Sequence, residues 1–197
     1  MSQAKINQAA IRLFAEKGSS QVSISELAQA AGVARGTIYN NYPETETLFE
    51  EIAAQLASDM HERIGGSAES SSDPARSLAN GLRYFVKQAH DEPQWGRFIL
   101  RFAFSNAALQ DMWRAQPSKD LMSGLECGRF RFAPEQAASV LSMIAGTALS
   151  AMFMVLQGYK TWRDAGSDTA EYTLRALGIE PEEAHRIANM DLPPLPR

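Results

Sequence analysis

The stretch from Ser23 to Tyr42 constrains the fold of this chain more than any other. Ser23 and Glu26 form an S-x-x-E capping box, which predicts that a helix begins at this point. Gly32 ends that helix, because glycine readily takes the left-handed backbone conformation found at helix ends. A second short helix follows from Gly36 to Tyr42. The sequence therefore predicts two short helices joined by a tight turn.

An amphipathic helix is predicted ahead of this pair, from Ala4 to Lys17, and Gly18 follows as its C-cap. Its apolar residues share one face, at positions i, i+4, i+7 and i+8: Ile6, Ala10, Leu13 and Phe14. Near the turn, the small residues Ala28 and Ala31 let two helices approach closely at a steep angle. This arrangement is typical of a helix-turn-helix unit. The alternative is a generic three-helix packing unit that binds no ligand.

Polar side chains cluster on the exposed side of the third predicted helix. They are Arg35, Thr37, Tyr39, Asn40 and Asn41. Arginine and asparagine pair in bidentate fashion with guanine and adenine, and threonine and tyrosine hydroxyls suit phosphate contacts. The pattern favours a helix that enters the major groove of DNA. The formal net charge of −4 argues mildly against DNA binding, because DNA-binding proteins are usually locally basic.

The chain resembles the TetR family of bacterial transcriptional regulators. The matching positions are residues 9–14, Gly18, 24–28, 31–33 and above all Gly36, Thr37, Ile38 and Tyr39, with Tyr42, Leu48 and Phe49. The resemblance implies DNA contacts from Ser23, Arg35, Gly36, Thr37, Tyr39, Asn40, Asn41 and Thr45. It also implies a homodimeric repressor that binds a palindromic operator in double-stranded DNA and is released by a small, largely apolar effector.

The third helix departs from the family pattern. Ala34 stands where the family usually has a capping Ser or Thr, Tyr42 replaces the usual Phe, and Thr45 stands where many members have a phosphate-binding Lys. Residues 1–47 carry equal numbers of acidic and basic side chains. We therefore expect few phosphate contacts, a shallow salt dependence, and more reliance on base contacts and backbone N–H groups at helix ends. The alternative is a small-molecule-binding helical protein with a weakened DNA-binding module.

The chain is predicted to be all-α, with a helix-turn-helix domain at residues 1–47 and a larger helical domain for effector binding and dimerisation at 48–197. Apolar periodicity predicts a long helix at 46–64, a loop at 65–73 and a helix at 74–90. A short helix at 109–114 is expected to end before Pro117, and Ser118 to cap the next segment. Further helices are predicted at 167–177 and 181–190. The turn from Gly124 to Phe130 resembles a GxxxGxF-like turn common in TetR C-terminal domains.

An uncharged segment runs from Gln136 to Tyr159 and is long enough to span a bilayer. Its serines, threonine and glutamines, and the lack of a flanking basic cluster, instead favour a buried core and dimer helix with no membrane contact. Small residues four apart on one sector would let a partner helix approach closely. The candidate dimer contacts are Ser139, Ser142, Gly146, Ser150, Leu174 and Leu177.

The larger domain is rich in bulky apolar side chains, and methionine suits a pocket that adapts its shape. An ordinary core is the default interpretation. Because family members hold ligands among these helices, we also predict a hydrophobic pocket. The candidate effector contacts are Trp95, Phe98, Phe102, Trp113, Met143, Thr147, Phe153 and Met154.

Catalytic and metal-binding patterns are not found in the sequence. The three histidines are widely separated, the single Cys127 has no adjacent base, and no glycine-rich phosphate loop occurs. We therefore predict a protein that is not an enzyme and uses no cofactor. The chain does not begin with a charged segment followed by an apolar one, so a cytoplasmic location is expected.

Overall fold

The computed structural model describes residues 2–44, 47–68 and 72–194, and every regular element in this part of the chain is helical. The helices are α1 (Ser2–Lys17), α2 (Ile24–Ala31), α3 (Arg35–Asn41), α4 (Leu48–Ala68), α5 (Pro74–Asp91), α6 (Pro93–Phe102), α7 (Ala107–Glu126), α8 (Ala137–Leu156), α9 (Trp162–Ala176) and α10 (Pro181–Ala188). The prediction of an all-α fold is confirmed.

Helices α1, α2 and α3 form the predicted amino-terminal unit. The capping box is present: the Ser23 hydroxyl accepts the Glu26 N–H at 3.3 Å, and the Glu26 carboxylate accepts the Ser23 N–H at 3.1 Å. Gly32 ends α2 with a left-handed φ of 65°. Leu27 on α2 and Ile38 on α3 are fully buried. These two anchors fix α3 so that its opposite face points outward.

Four phenylalanine rings join this unit to the rest of the chain, and we call them the aromatic hub: Phe14, Phe49, Phe98 and Phe102. Phe14 on α1 meets Phe49 on α4 edge to face, with ring centroids 5.1 Å apart. Phe49 meets Phe102 on α6 at 4.9 Å, and Phe98 meets Phe102 at 5.1 Å. Aromatic pairs of this geometry contribute about 0.5–1.5 kcal/mol each beyond their burial. The hub therefore holds α1, α4 and α6 together.

Helix α5 is the central element of the larger domain. It packs against α6, α7, α8, α9 and α10, and buries apolar residues along most of its length. Arg129, in the turn after α7, donates to Asp73 at 3.1 Å and to Glu183 at 2.8 Å. Asp73 is the N-cap of α5 and Glu183 lies on α10. One guanidinium thus ties together the start of α5, the end of α7 and α10.

The prediction that a helix ends before Pro117 is wrong. Helix α7 continues through Pro117 as one element, and Ser118 lies inside it instead of capping a new helix. Proline cannot donate a backbone hydrogen bond to the carbonyl of residue 113, a loss that costs about 3 kcal/mol in a helix interior. Burial of Met112 and Leu121 on either side, against the neighbouring helices, offsets this cost.

Two other helix boundaries differ from prediction. Helix α9 begins at Trp162, because the Thr161 hydroxyl caps it by accepting the Asp164 N–H at 3.1 Å. Helix α4 extends to Ala68, into the segment predicted as a loop. The Thr161 cap starts α9 several residues before apolar side chains recur at helical spacing, so the apolar pattern alone places the start of α9 too late.

The turn after α7 depends on Gly124. A methyl group at this position would lie 2.1 Å from the Phe130 ring, which is only 2% exposed. We expect Gly124→Ala to lower the free energy of unfolding by about 1–3 kcal/mol, because the ring has to leave its site. Urea unfolding measures this loss. Ser123→Ala, an exposed change on the same helix, is the control and should shift stability by less than about 0.5 kcal/mol; equal effects would contradict the assignment.

Candidate nucleic-acid interface and effector cavity

Helix α3 presents a polar face to solvent. Arg35 and Asn40 are exposed, and the Tyr39 side chain is 52% exposed. Ile38, on the other side of the helix, is fully buried and fixes this orientation. Arginine and asparagine on such a face can reach base edges in a major groove.

Other residues predicted to bind DNA have partners within the chain. The Ser23 hydroxyl takes part in the capping box. The Asn41 side-chain amide donates to the Thr37 carbonyl at 2.7 Å, and both residues are half-buried. Their DNA contacts remain predictions. Thr45 lies outside the described residues.

At both ends of α3 lie residues that depart from the family pattern, and the structure shows what each of them does. Ala34 is its N-cap and provides no side-chain hydrogen bond. At the other end, the Tyr42 hydroxyl donates to the Asn7 side-chain oxygen on α1. The hydroxyl that distinguishes Tyr42 from phenylalanine therefore fastens the end of α3 to α1.

Basic side chains of the amino-terminal unit are partly engaged within it. Lys17 forms an ion pair with Glu26 at 2.6 Å. This hydrogen bond from Lys17, together with those from Ser23, lowers the pKa of Glu26 to about 2. Arg12 reaches the Ala30 carbonyl at 3.4 Å. Arg35 is the one basic residue on α3 itself.

Gly36 lies on the exposed face of α3 in open space. A methyl group built there would meet no atom of the described chain within 4 Å, apart from the backbone of its own helix. Gly36 is not among the glycines of the described chain that have a positive φ. Packing and backbone conformation therefore do not require glycine at this position, and a close approach by another molecule is the remaining physical reason for it.

A small cavity lies in the larger domain between α4, α5, α7 and α8, and we call it the effector cavity. Its free volume is about 30 Å³. It is lined by Met60, Leu78, Gly81, Leu82, Phe85, Met112, Trp113, Gln116, Pro117, Asp120 and Ile144. The lining is apolar except for a few groups on α7, which is the usual make-up of a small-molecule site.

Asp120 is the carboxylate in this lining, and it is only 7% exposed. The Gln116 side-chain amide donates to it at 3.0 Å. Burial raises the pKa of Asp120 to about 6, although the Ser77 hydroxyl, the Gln116 amide and the Lys119 charge act in the opposite direction. Desolvation is the larger effect, as expected for a carboxylate in an apolar site.

Sequence reasoning missed Asp120, Gln116, Met60 and Phe85. The Lys-Asp pair at 119–120 reads as a polar surface, and the predicted helix end at Pro117 separated it from Trp113. A continuous helix would have shown the signal, because residues seven apart lie on one face.

The predicted effector contacts occupy four separate places. Trp113 lines the effector cavity. Trp95 is buried and stacks on Phe85 with centroids 6.2 Å apart, but does not line the cavity. Phe98 and Phe102 belong to the aromatic hub, where the neighbouring rings enclose them. The remaining candidates on the apolar segment lie on the outward side of α8: Met143, Thr147, Phe153 and Met154.

An outward-facing surface runs along α8 and α9, and we call it the outer face. Its groove includes Met143, Gly146, Thr147, Ser150, Met154 and Tyr172. Ser139 and Ser142 are exposed on α8 as well. Phe153 and Tyr172 are 47% and 64% exposed. Leu174 and Leu177 are 0% and 1% exposed, so the chain's own core covers these two side chains, unlike the other predicted dimer contacts.

Residues Pro134–Leu156 are long and apolar enough to cross a membrane by length and composition, with 33% of the most apolar window buried. Helix α8 packs against α5, α6, α7 and α9.

Within the described residues, no group of three or more His, Cys, Asp and Glu side chains is placed to hold a metal ion.

Models of two known domains match this architecture. Residues 6–52 match the bacterial regulatory proteins of the tetR family, and residues 73–190 match the tetracyclin repressor-like C-terminal domain. The chain belongs to the TetR family of bacterial transcriptional regulators. The resemblance noted in the sequence is thereby confirmed, and the first match contains α2 and α3.

Relatives in the family share part of this chain. The transcriptional regulator AcrR of Shigella flexneri is 47% identical over 96 residues, which are 48% of this chain and 44% of that protein. The repressor DhaR of Mycobacterium sp. (strain GP1) is 26% identical over 144 residues, 66% of this chain and 71% of that protein. The match to AcrR thus spans less than half of that relative's length.

Solved structures share the whole fold. RolR in complex with resorcinol has a TM-score of 0.73 and 27% identity, with 99% of this chain and 96% of that chain covered. The fatty acid degradation regulator FadR of Bacillus halodurans has a TM-score of 0.74 and 21% identity, with 90% and 100% covered. This second likeness concerns the fold alone.

The buried Asp120 makes stability depend on pH. Its pKa is about 6 in the folded chain against an ordinary value of 3.8, so the folded chain holds this proton more tightly and loses stability as pH rises through that interval. From about pH 4 to about pH 7, wild type should lose roughly 2–3 kcal/mol of unfolding free energy relative to Asp120→Asn. Urea unfolding at several pH values measures the difference.

The exposed Asp111 on the same helix provides the control for this pH series. Asp111→Asn is measured over the same pH range for comparison. The raised pKa would be contradicted if the difference in unfolding free energy between wild type and Asp120→Asn did not change with pH. A change in favour of wild type as pH rises would contradict it as well.

Proposed function

We propose that this TetR-family regulator is a homodimeric repressor that binds a palindromic operator and is released by a small, largely apolar effector. The observation that carries this proposal is the path of α4. Met60 on α4 lines the effector cavity, and Phe49 near the start of the same helix belongs to the aromatic hub with Phe14 of the amino-terminal unit. One helix thus touches both the cavity and the unit that carries α3.

DNA recognition is assigned to residues 1–47, with α3 in the major groove. Arg35 and Asn40 are exposed on its outer side and suit base edges, while Tyr39 suits a phosphate. Ser23, Gly36, Thr37, Asn41 and Thr45 complete the proposed interface. Because Lys17 and Arg12 already have partners in the chain, we expect binding to depend less on phosphate contacts than in more basic relatives.

Residues 48–197 form the proposed effector and dimerisation domain. The outer face of α8 and α9 exposes Phe153 and Tyr172 next to the small residues Ser142, Gly146 and Ser150. Exposed aromatic groups beside small residues suit close helix packing, so we assign this face to a second copy of the chain. A dimer would place two α3 helices on half-sites one DNA turn apart, about 34–36 Å.

Release of the operator would follow from the size of the cavity. Its free volume of about 30 Å³ is smaller than an aromatic ring needs, so a bound effector must move some of the groups that line it, and in this proposal α4 moves. Any such displacement reaches Phe49 in the hub. An effector that binds the widened state better shifts the population toward it, and operator and effector then weaken each other's binding reciprocally.

Relatives support a small ligand in this domain. RolR was solved with resorcinol, and its structure matches nearly the whole chain. DhaR carries the name of a repressor, which supports the direction of regulation. We infer a cytoplasmic protein that uses no cofactor, has no membrane contact and is not an enzyme.

The second candidate is a small-molecule-binding protein with a weakened DNA-binding module. The uncapped Ala34 and the internal ion pair of Lys17 favour it. A mobility-shift assay with palindromes adjacent to the protein's own gene separates the two candidates. The repressor predicts a specific shift at about 50–200 mM salt. No shift at low salt would leave the second candidate.

Arg35→Ala should weaken operator binding by roughly 1–3 kcal/mol, or about 5- to 150-fold, because a bidentate contact to a base is lost. Binding to unrelated DNA should weaken far less. Fluorescence anisotropy with both DNAs measures the two changes. Equal losses on operator and unrelated DNA would show that Arg35 contacts only the backbone.

Gly36→Ala tests the geometry of the approach to DNA. The added methyl group meets nothing within the chain, and alanine favours a helix by about 0.5–1 kcal/mol over glycine, so stability should stay the same or rise slightly. Operator affinity should fall at least tenfold if DNA lies against this position. Ser123→Ala, exposed on α7, is the control for both measurements. Unchanged operator affinity would place DNA away from Gly36.

A further inference from the structure

We propose that Asp120 is the polar anchor of the effector cavity, and that the cavity takes a small aromatic molecule with a hydroxyl group. The inference rests on the proposed function, in which this cavity binds the effector. It goes further by assigning one residue to ligand recognition and one chemical class to the ligand.

The first observation is the isolation of the carboxylate. Asp120 is only 7% exposed, and the other residues that line the cavity are almost all apolar. The Gln116 amide donates to it at 3.0 Å, and a hydrogen bond from the Ser77 hydroxyl on α5 also lowers its pKa. A carboxylate has about four acceptor positions, so positions remain for a further donor in a site shielded from water. A ligand hydroxyl supplies such a donor.

The second observation is the indole N–H of Trp113. This nitrogen is buried and has no hydrogen-bond partner in the described part of the chain, and Trp113 lines the same cavity seven residues before Asp120. A hydroxyl group both donates and accepts, so it offers a partner to either a carboxylate or an indole N–H. An ammonium group only donates and would leave the indole without a partner.

The third observation is the aromatic surface beside these groups. The Phe85 and Trp113 rings lie with centroids 4.6 Å apart, and both line the cavity. Aromatic ligands pack well on such rings. Pro117, also in the lining, removes one backbone hydrogen bond of α7 at the carbonyl of residue 113.

The charges around Asp120 disfavour anionic ligands. The lining residues on α4, α5 and α8 are all uncharged: Met60, Leu78, Gly81, Leu82, Phe85 and Ile144. Lys119 on α7 itself is the one charge that acts on Asp120 appreciably. A ligand carboxylate would face Asp120 with no cation in the lining to offset the repulsion, so anionic aromatics should be rejected.

The test compares four ring compounds on the full-length protein by isothermal titration calorimetry at neutral pH. They are phenol, toluene, benzylamine and benzoate. Phenol should bind at least tenfold more tightly than toluene, because only phenol satisfies Asp120 and Trp113. Phenol should also exceed benzylamine, and benzoate should not bind. This comparison uses wild type alone and does not depend on any variant folding.

Variants then assign the effect to Asp120. Asp120→Asn keeps the shape and one acceptor oxygen but loses the charge, and should weaken phenol about tenfold. Asp120→Leu should bring phenol to the level of toluene and leave toluene unchanged or tighter. The matched control is Asp111→Asn, which changes an exposed aspartate on the same helix and should have no effect.

Any one of four results would overturn the proposal. Phenol and toluene bind equally, benzylamine binds more tightly than phenol, none of the four compounds binds, or Asp120→Leu binds phenol as tightly as wild type does. A parallel operator-release assay separates this from the proposed function. If phenol and toluene bind equally and both release the operator, the effector site stands and the role of Asp120 fails. If phenol binds through Asp120 but the operator stays bound, the anchor stands and the regulatory function fails.

Discussion

The aromatic hub is the contact on which the arrangement of this molecule depends. A small three-helix unit has little core of its own, so its position relative to the larger domain must come from contacts such as Phe14 against Phe49. The same ring of Phe49 meets Phe102 on α6, which lies against the central helix α5. Packed aromatic clusters have few alternative arrangements, and we propose that a shift of α4 reaches the amino-terminal unit through Phe49.

The effector cavity differs from the aromatic hub because it contains polar groups in an apolar site. It places a hydrogen-bonded carboxylate, and an indole N–H that has no partner in the described chain, among apolar side chains, and burial of such polar groups costs folding free energy. Groups held in this way without ligand are a common property of sites that bind one. Pro117 adds a local weakness in the helix that carries both groups. The cavity and the hub are thus linked by α4, which contributes Met60 to the cavity and Phe49 to the hub.

Local signals predicted the amino-terminal unit well. The capping box at Ser23 and the left-handed Gly32 act through neighbouring residues, so the sequence alone contains them. The continuous helix through Pro117 was not predictable in this way, because distant helices packed against it decide the outcome. The same error hid the cavity, whose polar group Asp120 lies just beyond the proline. Large apolar residues such as Phe98 suggested a pocket, but only the fold shows that they form the hub.

The coupling between cavity and DNA can be measured through Phe49. The quantity is the ratio of operator affinities without and with a saturating ligand of the effector cavity, for wild type and for Phe49→Leu. Wild type should show a ratio of about 5–150, and Phe49→Leu should bring it close to one while the ligand still binds with its original affinity in the absence of DNA. An unchanged ratio in Phe49→Leu would contradict a coupling that runs through the aromatic hub.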